Sequence, residues 1–246
     1  MSTRQKLTWF LFLVAGLAAG RALHATPSTQ IWNPSTDIQG LKSWHLGIDN
    51  YFSVVDNKTK SYAFPTDVGL TYGLVKNVEV GVDYMGPGAD PLMFNAKYGL
   101  PEGDMMPAVA LGGMNFGTKK TENDAGGAQV NGTDADILYG VAARTFKPVG
   151  RFSVGYYSGN DKLLVDEKGA TANTGMIATW DKQVTDKVWV AVDYASGRSY
   201  YGSLSYGFSY AFAPNTSIIF GYVVYNNQDP AINKNHQFTT QLDINF

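Results

Sequence analysis

The chain has 246 residues, a net charge of −2 and no cysteine. The lack of cysteine excludes disulfides and thiolate metal sites. The dispersed, near-neutral charge does not favour a nucleic-acid partner. Glycine and tyrosine are abundant, with 27 and 15 copies, and they recur inside periodic segments rather than in linkers.

The first segment is typical of a secretory signal peptide. Two basic residues precede an apolar run over residues 7–19, and small residues follow. The run is shorter than the roughly 20 apolar residues that a membrane-spanning helix needs. We therefore expect residues 1–25 to be a signal peptide cleaved after Ala25, with cleavage after Ala22 or an uncleaved anchor as alternatives.

Residues 26–40, TPSTQIWNPSTDIQG, are polar and interrupted by proline. They lack the alternation of the segments that follow and predict no strand. We interpret them as an N-terminal lead-in to the next domain. Two alternatives stay open: the lead-in is disordered, or it is a short plug that enters that domain from below.

From residue 41 onward, apolar residues recur at every second position. The clearest segment is 203–212, SLSYGFSYAF, in which large apolar side chains alternate with small ones. Because alternate side chains of a strand point to opposite faces, each such segment has one large apolar face and one small or polar face. The pattern predicts about twelve strands near 41–55, 62–75, 78–86, 92–100, 106–118, 135–146, 151–159, 173–184, 187–196, 199–213, 216–226 and 236–246. Apolar residues change parity within the fifth segment, which indicates a β-bulge.

The predicted connections alternate between short and long. Those after even-numbered strands are tight turns, whereas several of the others are long and polar, notably 119–134, 160–172 and 227–235. Outer-membrane barrels have short periplasmic turns and longer extracellular loops. A soluble β-sandwich also alternates, but it does not normally combine a signal peptide with long strands and sorted loops. We predict an all-β fold: a closed antiparallel transmembrane β-barrel over residues 41–246, with 26–40 as a periplasmic lead-in.

The C-terminal strand carries the most specific signal. In QFTTQLDINF, residues 237–246, one face is apolar and ends on a terminal phenylalanine. The chain resembles bacterial outer-membrane β-barrel proteins of the porin type over most of its length. The resemblance implies outer-membrane lipid as the solvent of the apolar face. It also implies that the barrel-assembly machinery recognises the last strand through Phe238, Leu242, Ile244 and Phe246.

Charges on the other face are the candidate functional residues. By parity, the predicted inward acidic residues are Asp49, Asp67, Glu79, Asp83 and Asp243, and the predicted inward basic residues are Lys97, Arg144 and Arg151. This arrangement predicts an acidic arc facing a basic arc across a wet lumen, through which small hydrophilic solutes or ions diffuse. The alternative is an internal salt-bridge network that closes the bore, since barrels of about twelve strands lie between filled and open ones.

Two other classes of function compete with a channel. An outer-membrane hydrolase would use a histidine, and His45 or His236 would be the candidate, but no serine has the flanks of a nucleophile; we predict no enzyme. A structural or adhesive barrel would act through its loops. The 119–134 region has oxygen-rich residues suited to Ca²⁺, but their spacing matches no EF-hand, so we predict no metal and no cofactor. These oxygen-rich residues are Asn123, Asp124, Asn131, Asp134 and Asp136.

Overall fold

The computed structural model describes residues 28–53, 65–87, 90–123, 129–227 and 236–246. The predicted signal peptide lies outside these residues. Among the described residues, no helix is both long and apolar enough to cross a membrane. Twelve antiparallel strands close into a barrel, which confirms the predicted fold.

The strand bounds agree with the predicted segments to within a few residues at most ends. The barrel strands are β1 Trp44–Phe52, β2 Thr66–Val75, β3 Val78–Gly86, β4 Leu92–Leu100, β5 Ala108–Gly117, β8 Ile137–Phe146, β9 Gly150–Ser158, β10 Thr174–Thr185, β11 Val188–Ala195, β12 Ser203–Ala213, β13 Thr216–Tyr225 and β14 Gln237–Asn245. A separate hairpin of β6 Glu122–Asn123 and β7 Gln129–Val130 lies within the predicted 119–134 loop and was not expected. Each barrel strand pairs with its neighbours in antiparallel register, and β1 pairs with β14.

Alternation separates the two faces of the wall as predicted. On β12, Tyr206 and Phe208 are 46% and 45% exposed, whereas Ser205 is fully buried. Aromatic residues face each other across strands on the outer surface: the rings of Phe208 and Phe220 lie 5.5 Å apart. Because a closed barrel pairs every strand on both sides, it leaves no sheet edge exposed to lipid.

The two ends of the barrel differ. Five connections at one end, here called the turn end, are short and span 76–77, 101–107, 147–149, 186–187 and 214–215. The opposite end, called the loop end, carries the longest connections, among them 118–136 and 159–173. The first and last strands close at the turn end, where the Trp44 amide donates to the Phe246 carbonyl at 2.7 Å and the Phe246 amide donates to that of Trp44 at 3.0 Å.

The predicted bulge is present in β5. The register between β4 and β5 shifts between Phe94 and Ala96. Opposite this shift, Asn115 adopts a left-handed backbone conformation with φ of 57°. Asparagine tolerates this conformation better than most residues, so the bulge is compatible with its sequence.

One side of the barrel is filled by an apolar core that we call the loop-end cluster. It combines inward residues of β5 and β8–β11 with loop residues that fold into the barrel; its members are Ala110, Ala135, Ile137, Tyr139, Val141, Tyr157, Leu163, Leu164, Ile177, Ala195 and Tyr201. Leu164 and Tyr157 are completely buried. The inward-facing apolar residues of these strands therefore belong to the packed core of this side.

Residues 28–40, which we call the plug, lie inside the barrel. The plug contains a turn in which the Gln30 amide donates to the Asn33 carbonyl at 2.8 Å, and Thr29 forms a bridge with Pro34. Its residues Gln30, Ile31 and Asn33 are at most 2% exposed. The described part of the lead-in therefore lies among side chains of the barrel's inner wall.

Candidate functional site

The lumen contains a cavity of about 670 Å³ between the plug and the inner wall of β1–β5. It runs from loop-end residues such as Pro65 and Pro91 towards Glu79 and Lys97 near the turn end. Its lining mixes glycines and carboxylates of the wall with Ile31 and Trp32 of the plug; we call it the acidic cavity. It is the candidate functional site.

Three carboxylates give the acidic cavity its charge. Asp49 lies directly opposite Asp67 in the β1–β2 register, and Asp83 lies opposite Gly69 in the β2–β3 register. The three side chains therefore occupy neighbouring positions on three adjacent strands. Asn95 donates a hydrogen bond to Asp83. Within the described residues, no basic side chain forms an ion pair with these three carboxylates.

A buried lysine–glutamate ion pair and a histidine–aspartate contact border the turn-end part of the acidic cavity. Lys97 Nζ lies 3.2 Å from Glu79 Oε1, and both residues are under 5% exposed. His45 Nε2 lies 3.4 Å from Asp243 Oδ1, and His45 Nδ1 lies 3.3 Å from Asn245 Oδ1. Through these two contacts the imidazole of His45 links β1 to β14.

Asp193 is the main anchor of the plug. This fully buried carboxylate accepts hydrogen bonds from the backbone amides of Ile31 at 2.8 Å and Trp32 at 2.9 Å. The Asn33 side-chain amide donates to its other oxygen at 3.1 Å. A buried carboxylate is stabilised when several donors converge on it, so the turn of the plug and Asp193 satisfy each other.

Asp181 is a second anchor of the plug. Asp181 accepts from Gln30 Nε2 at 2.9 Å, from Trp189 Nε1 at 3.1 Å and from Arg151 Nε at 2.9 Å. Arg151 also donates to Asp37 of the plug at 2.7 Å. The guanidinium of Arg151 thus joins the wall to the plug, and its charge is matched by two carboxylates.

The predicted basic arc does not exist as a free surface. Lys97 and Arg151 face inward but are paired with Glu79, Asp181 and Asp37, and Lys97 also donates to plug carbonyls. The prediction for Arg144 is wrong, because this residue lies opposite the outward-facing Phe152 in the β8–β9 register.

Arg144 instead holds the 101–107 turn outside the lumen. Its guanidinium donates to the carbonyls of Gly103 at 2.8 Å, Asp104 at 2.7 Å and Met106 at 3.1 Å. The error has a physical cause. The inward row of β8 is apolar because it packs in the loop-end cluster, so polarity does not mark the inner face of this strand.

The oxygen-rich loop residues also form internal contacts. Asp134 accepts from the Thr121 amide at 2.9 Å and from its hydroxyl at 2.7 Å. Lys120 lies 3.8 Å from Asp134 and 3.6 Å from Asp136. No cluster of three metal-ligating side chains was found in the described residues. Asp124 lies outside them.

The sequence analysis missed the residues that hold the plug. Asp193 and Asp181 were not among the predicted lumen charges, and the Gln30–Asn33 turn had no assigned partner. A signal was present for Asp193 and for the turn. Trp189 and Asp193 share the row opposite the valines of β11, and Ile31 with Trp32 is the largest apolar pair of an otherwise polar lead-in.

No protein-family model matches the chain, and no curated protein sequence matches it. Solved structures do match. The NanC porin aligns with a TM-score of 0.51 and 11% identity, over 82% of this chain and 98% of that one. The KdgM porin in complex with disordered oligogalacturonate aligns with a TM-score of 0.49 and 6% identity, over 83% of this chain and 98% of that one. The COG4313 outer membrane channel from Pseudomonas putida F1 aligns with a TM-score of 0.48 and 10% identity, over 86% of this chain and 98% of that one.

The likeness to the NanC porin and the closed barrel of twelve strands define the class of fold. It is that of a porin-type outer-membrane β-barrel. At 11% identity the likeness concerns the fold alone.

Proposed function

We propose that the protein is a narrow outer-membrane channel for small hydrophilic solutes and ions, with a preference for cations. The observation that carries this proposal is the acidic cavity, a space along the β1–β5 wall that Asp49, Asp67 and Asp83 line. The outer surface of the barrel is suited to lipid, since the outward rows of the strands are apolar and aromatic. The turn end then faces the periplasm and the loop end faces the outside.

The preference for cations follows from the charge of the acidic cavity. Asp49, Asp67 and Asp83 line it, whereas the charge of Lys97 is matched by Glu79. Rings and rows of like charge in a narrow lumen bias which ions pass. A row of unmatched carboxylates therefore attracts cations and repels anions.

The test is single-channel recording from refolded protein in planar lipid bilayers, with the reversal potential measured in a salt gradient. We expect discrete conductance steps and a reversal potential that indicates cation preference. Complete absence of steps from pure refolded protein would contradict the channel. Steps with anion preference would contradict the role of the acidic cavity.

The second candidate function is a structural or adhesive barrel that acts through its loops. The loop-end cluster favours it, because inward-folded loops fill one side of the barrel. The same recordings separate the two functions, since a closed barrel carries no current.

For either function we propose a non-catalytic role for His45, which pairs with Asp243 and Asn245. We expect no lipolytic or proteolytic activity from the purified protein.

We also propose that the last strand is the recognition signal for the barrel-assembly machinery. Phe238 and Phe246 are 40% and 63% exposed on the outer face, and Leu242 and Ile244 share their row. Removal of Phe246 should reduce the amount of barrel in cell outer membranes while leaving refolding in detergent unchanged. Equal losses in both assays would instead indicate a role in stability alone.

A further inference from the structure

We propose that the plug is a built-in constriction that sets the bore of the channel, and that current passes beside it while it stays docked. This inference rests on the proposed channel function and adds the determinant of its size limit. Four independent features of the wall fit the plug: polar anchors, an apolar socket, an aromatic socket and glycine notches.

Polar contacts hold the plug along its whole length. Asp193 anchors the Ile31–Trp32 backbone, and Gln241 Nε2 donates to the Ile31 carbonyl at 2.8 Å. Near the turn end, Glu79 accepts from the Ser28 hydroxyl and from the Gln39 amide, each at 2.6 Å. Contacts at both ends of the plug show that it is held as a unit.

The turn of the plug also fills two sockets. Ile31 packs with Trp189, Ala191 and Ile219, and all four are at most 4% exposed. On the other side of the turn, the Trp32 ring lies 5.7 Å from the rings of Tyr51 and Tyr225, both at near-perpendicular angles. Its indole nitrogen donates to the Tyr201 carbonyl at 3.0 Å. Such burial resists loss of the plug, because undocking exposes these apolar surfaces to water.

Wall glycines make room for the backbone and side chains of the plug. A Cβ at Gly73 of β2 would lie 1.9 Å from the Gly40 carbonyl oxygen, and one at Gly99 of β4 would lie 2.8 Å from Ile38. On β13, a Cβ at Gly221 would lie 3.1 Å from Ile31 Cγ2. Glycine within a strand often marks a close approach of another backbone. Three separate strands therefore carry a notch where the plug meets them.

The consequence is a lumen divided into a filled part and a conducting part. With the plug docked, Asp181, Asp193, Glu79 and Arg151 are committed to plug contacts, and the acidic cavity is the remaining path. Without the plug, those side chains would face water in a wider bore. The plug therefore determines both the size of the path and which charges line it.

The first experiment deletes residues 28–40 from the full chain and compares single-channel conductance with that of the native protein. We expect an increase of roughly twofold or more, since a twelve-stranded barrel without internal filling has a wider lumen. Native-like conductance in the deletion variant would overturn the inference. If neither protein conducts, the proposed function fails instead. If only the deletion variant conducts, the plug closes the barrel completely and the path beside it is disproved.

The second experiment locks the plug, and it does not depend on the deletion variant folding. The chain has no native cysteine, so Ile31→Cys with Gly221→Cys forms the only possible disulfide. A Cβ at position 221 would lie 3.1 Å from Ile31 Cγ2, so a sulfur in place of that atom could reach a sulfur on residue 221. We expect the oxidised and reduced forms to conduct equally, with each single variant as control. Loss of current on oxidation would overturn the inference, because it would show that current requires the plug to leave.

The third experiment uses one methyl group to disturb the base of the plug. Gly73→Ala places a carbon on the Gly40 carbonyl, so we expect displacement of the plug base and larger or noisier conductance. Gly47→Ala is the matched control, because its Cβ faces the same lumen but meets nothing nearer than 3.6 Å. Equal behaviour of the two variants would contradict a plug that limits the bore.

Discussion

The two sides of the lumen are built on different physical principles. The side formed by β8–β13 is a packed interior, in which wall, loops and plug bury residues such as Ile137, Ile177 and Ile219 almost completely. The side formed by β1–β5 borders the acidic cavity and carries half-buried aspartates. One closed sheet thus supports both a packed core and a cavity, because alternation fixes which residues face inward but not what fills the space they face.

The largest loss of stability is expected at the buried ion pair between β3 and β4. Lys97→Met leaves Glu79 buried without its partner, which should lower the free energy of unfolding by about 3–5 kcal/mol. The measurement is urea unfolding of the barrel refolded in lipid vesicles. Adding Glu79→Gln should restore most of the loss, and Lys187→Met at an exposed turn is the control. A double variant as unstable as the single one would contradict the ion-pair explanation.

Within the packed side, truncation should cost nearly as much. Ile177→Ala removes a side chain that is 1% exposed in the loop-end cluster, so a loss of about 2–5 kcal/mol in unfolding free energy is expected. Met85→Ala, at a residue that lines the acidic cavity, should cost clearly less in the same assay, because its side chain borders open space rather than a packed core. Similar losses at both positions would mean that the cavity side is packed as well.

On the cavity side, the main effect should be on selectivity rather than on stability. The triple variant Asp49→Asn, Asp67→Asn and Asp83→Asn removes the unmatched charge while keeping side-chain size. The reversal potential in a salt gradient should move towards zero, because the cation preference depends on these carboxylates. Asp186→Asn, in an exposed turn, serves as the control. An unchanged reversal potential would show that selectivity arises elsewhere.

The smallest effect is expected outside both sides, at the 101–107 turn. A hydrogen bond from the Thr145 hydroxyl, at 2.7 Å, lowers the pKa of Glu102 below its ordinary value of 4.5. Because the pKa is lower in the folded state, the stabilisation is present above pH 4.5 and disappears as the pH falls through the folded-state pKa.

Glu102→Gln should therefore cost at most about 1 kcal/mol in unfolding free energy at neutral pH, as is usual for exposed charged pairs. The difference from native protein should vanish in acid. Glu122→Gln, also exposed, is the matched control. A cost that persists at low pH would point to packing rather than charge.

Sequence reasoning worked well where one rule governs the structure. Strand positions, the β5 bulge and the outward rows follow from alternation, and Leu204, Tyr206 and Phe208 illustrate it on β12. It failed where the inner face is not polar. Arg144 was assigned to the lumen by parity, but both rows of β8 are largely apolar, so polarity did not distinguish the two faces.

The amino-acid sequence by itself determined the barrel, because alternate residues of each strand are suited to the two different environments of its faces. Only the tertiary structure decided what occupies the lumen. Residues 28–40 have no periodic pattern, and their partners lie far away in sequence: Asp193 is 162 residues from Ile31. Contacts of that kind depend on closure of the whole barrel, which brings β11 and β3 to the N-terminal segment, and the local pattern of each segment does not identify its partner.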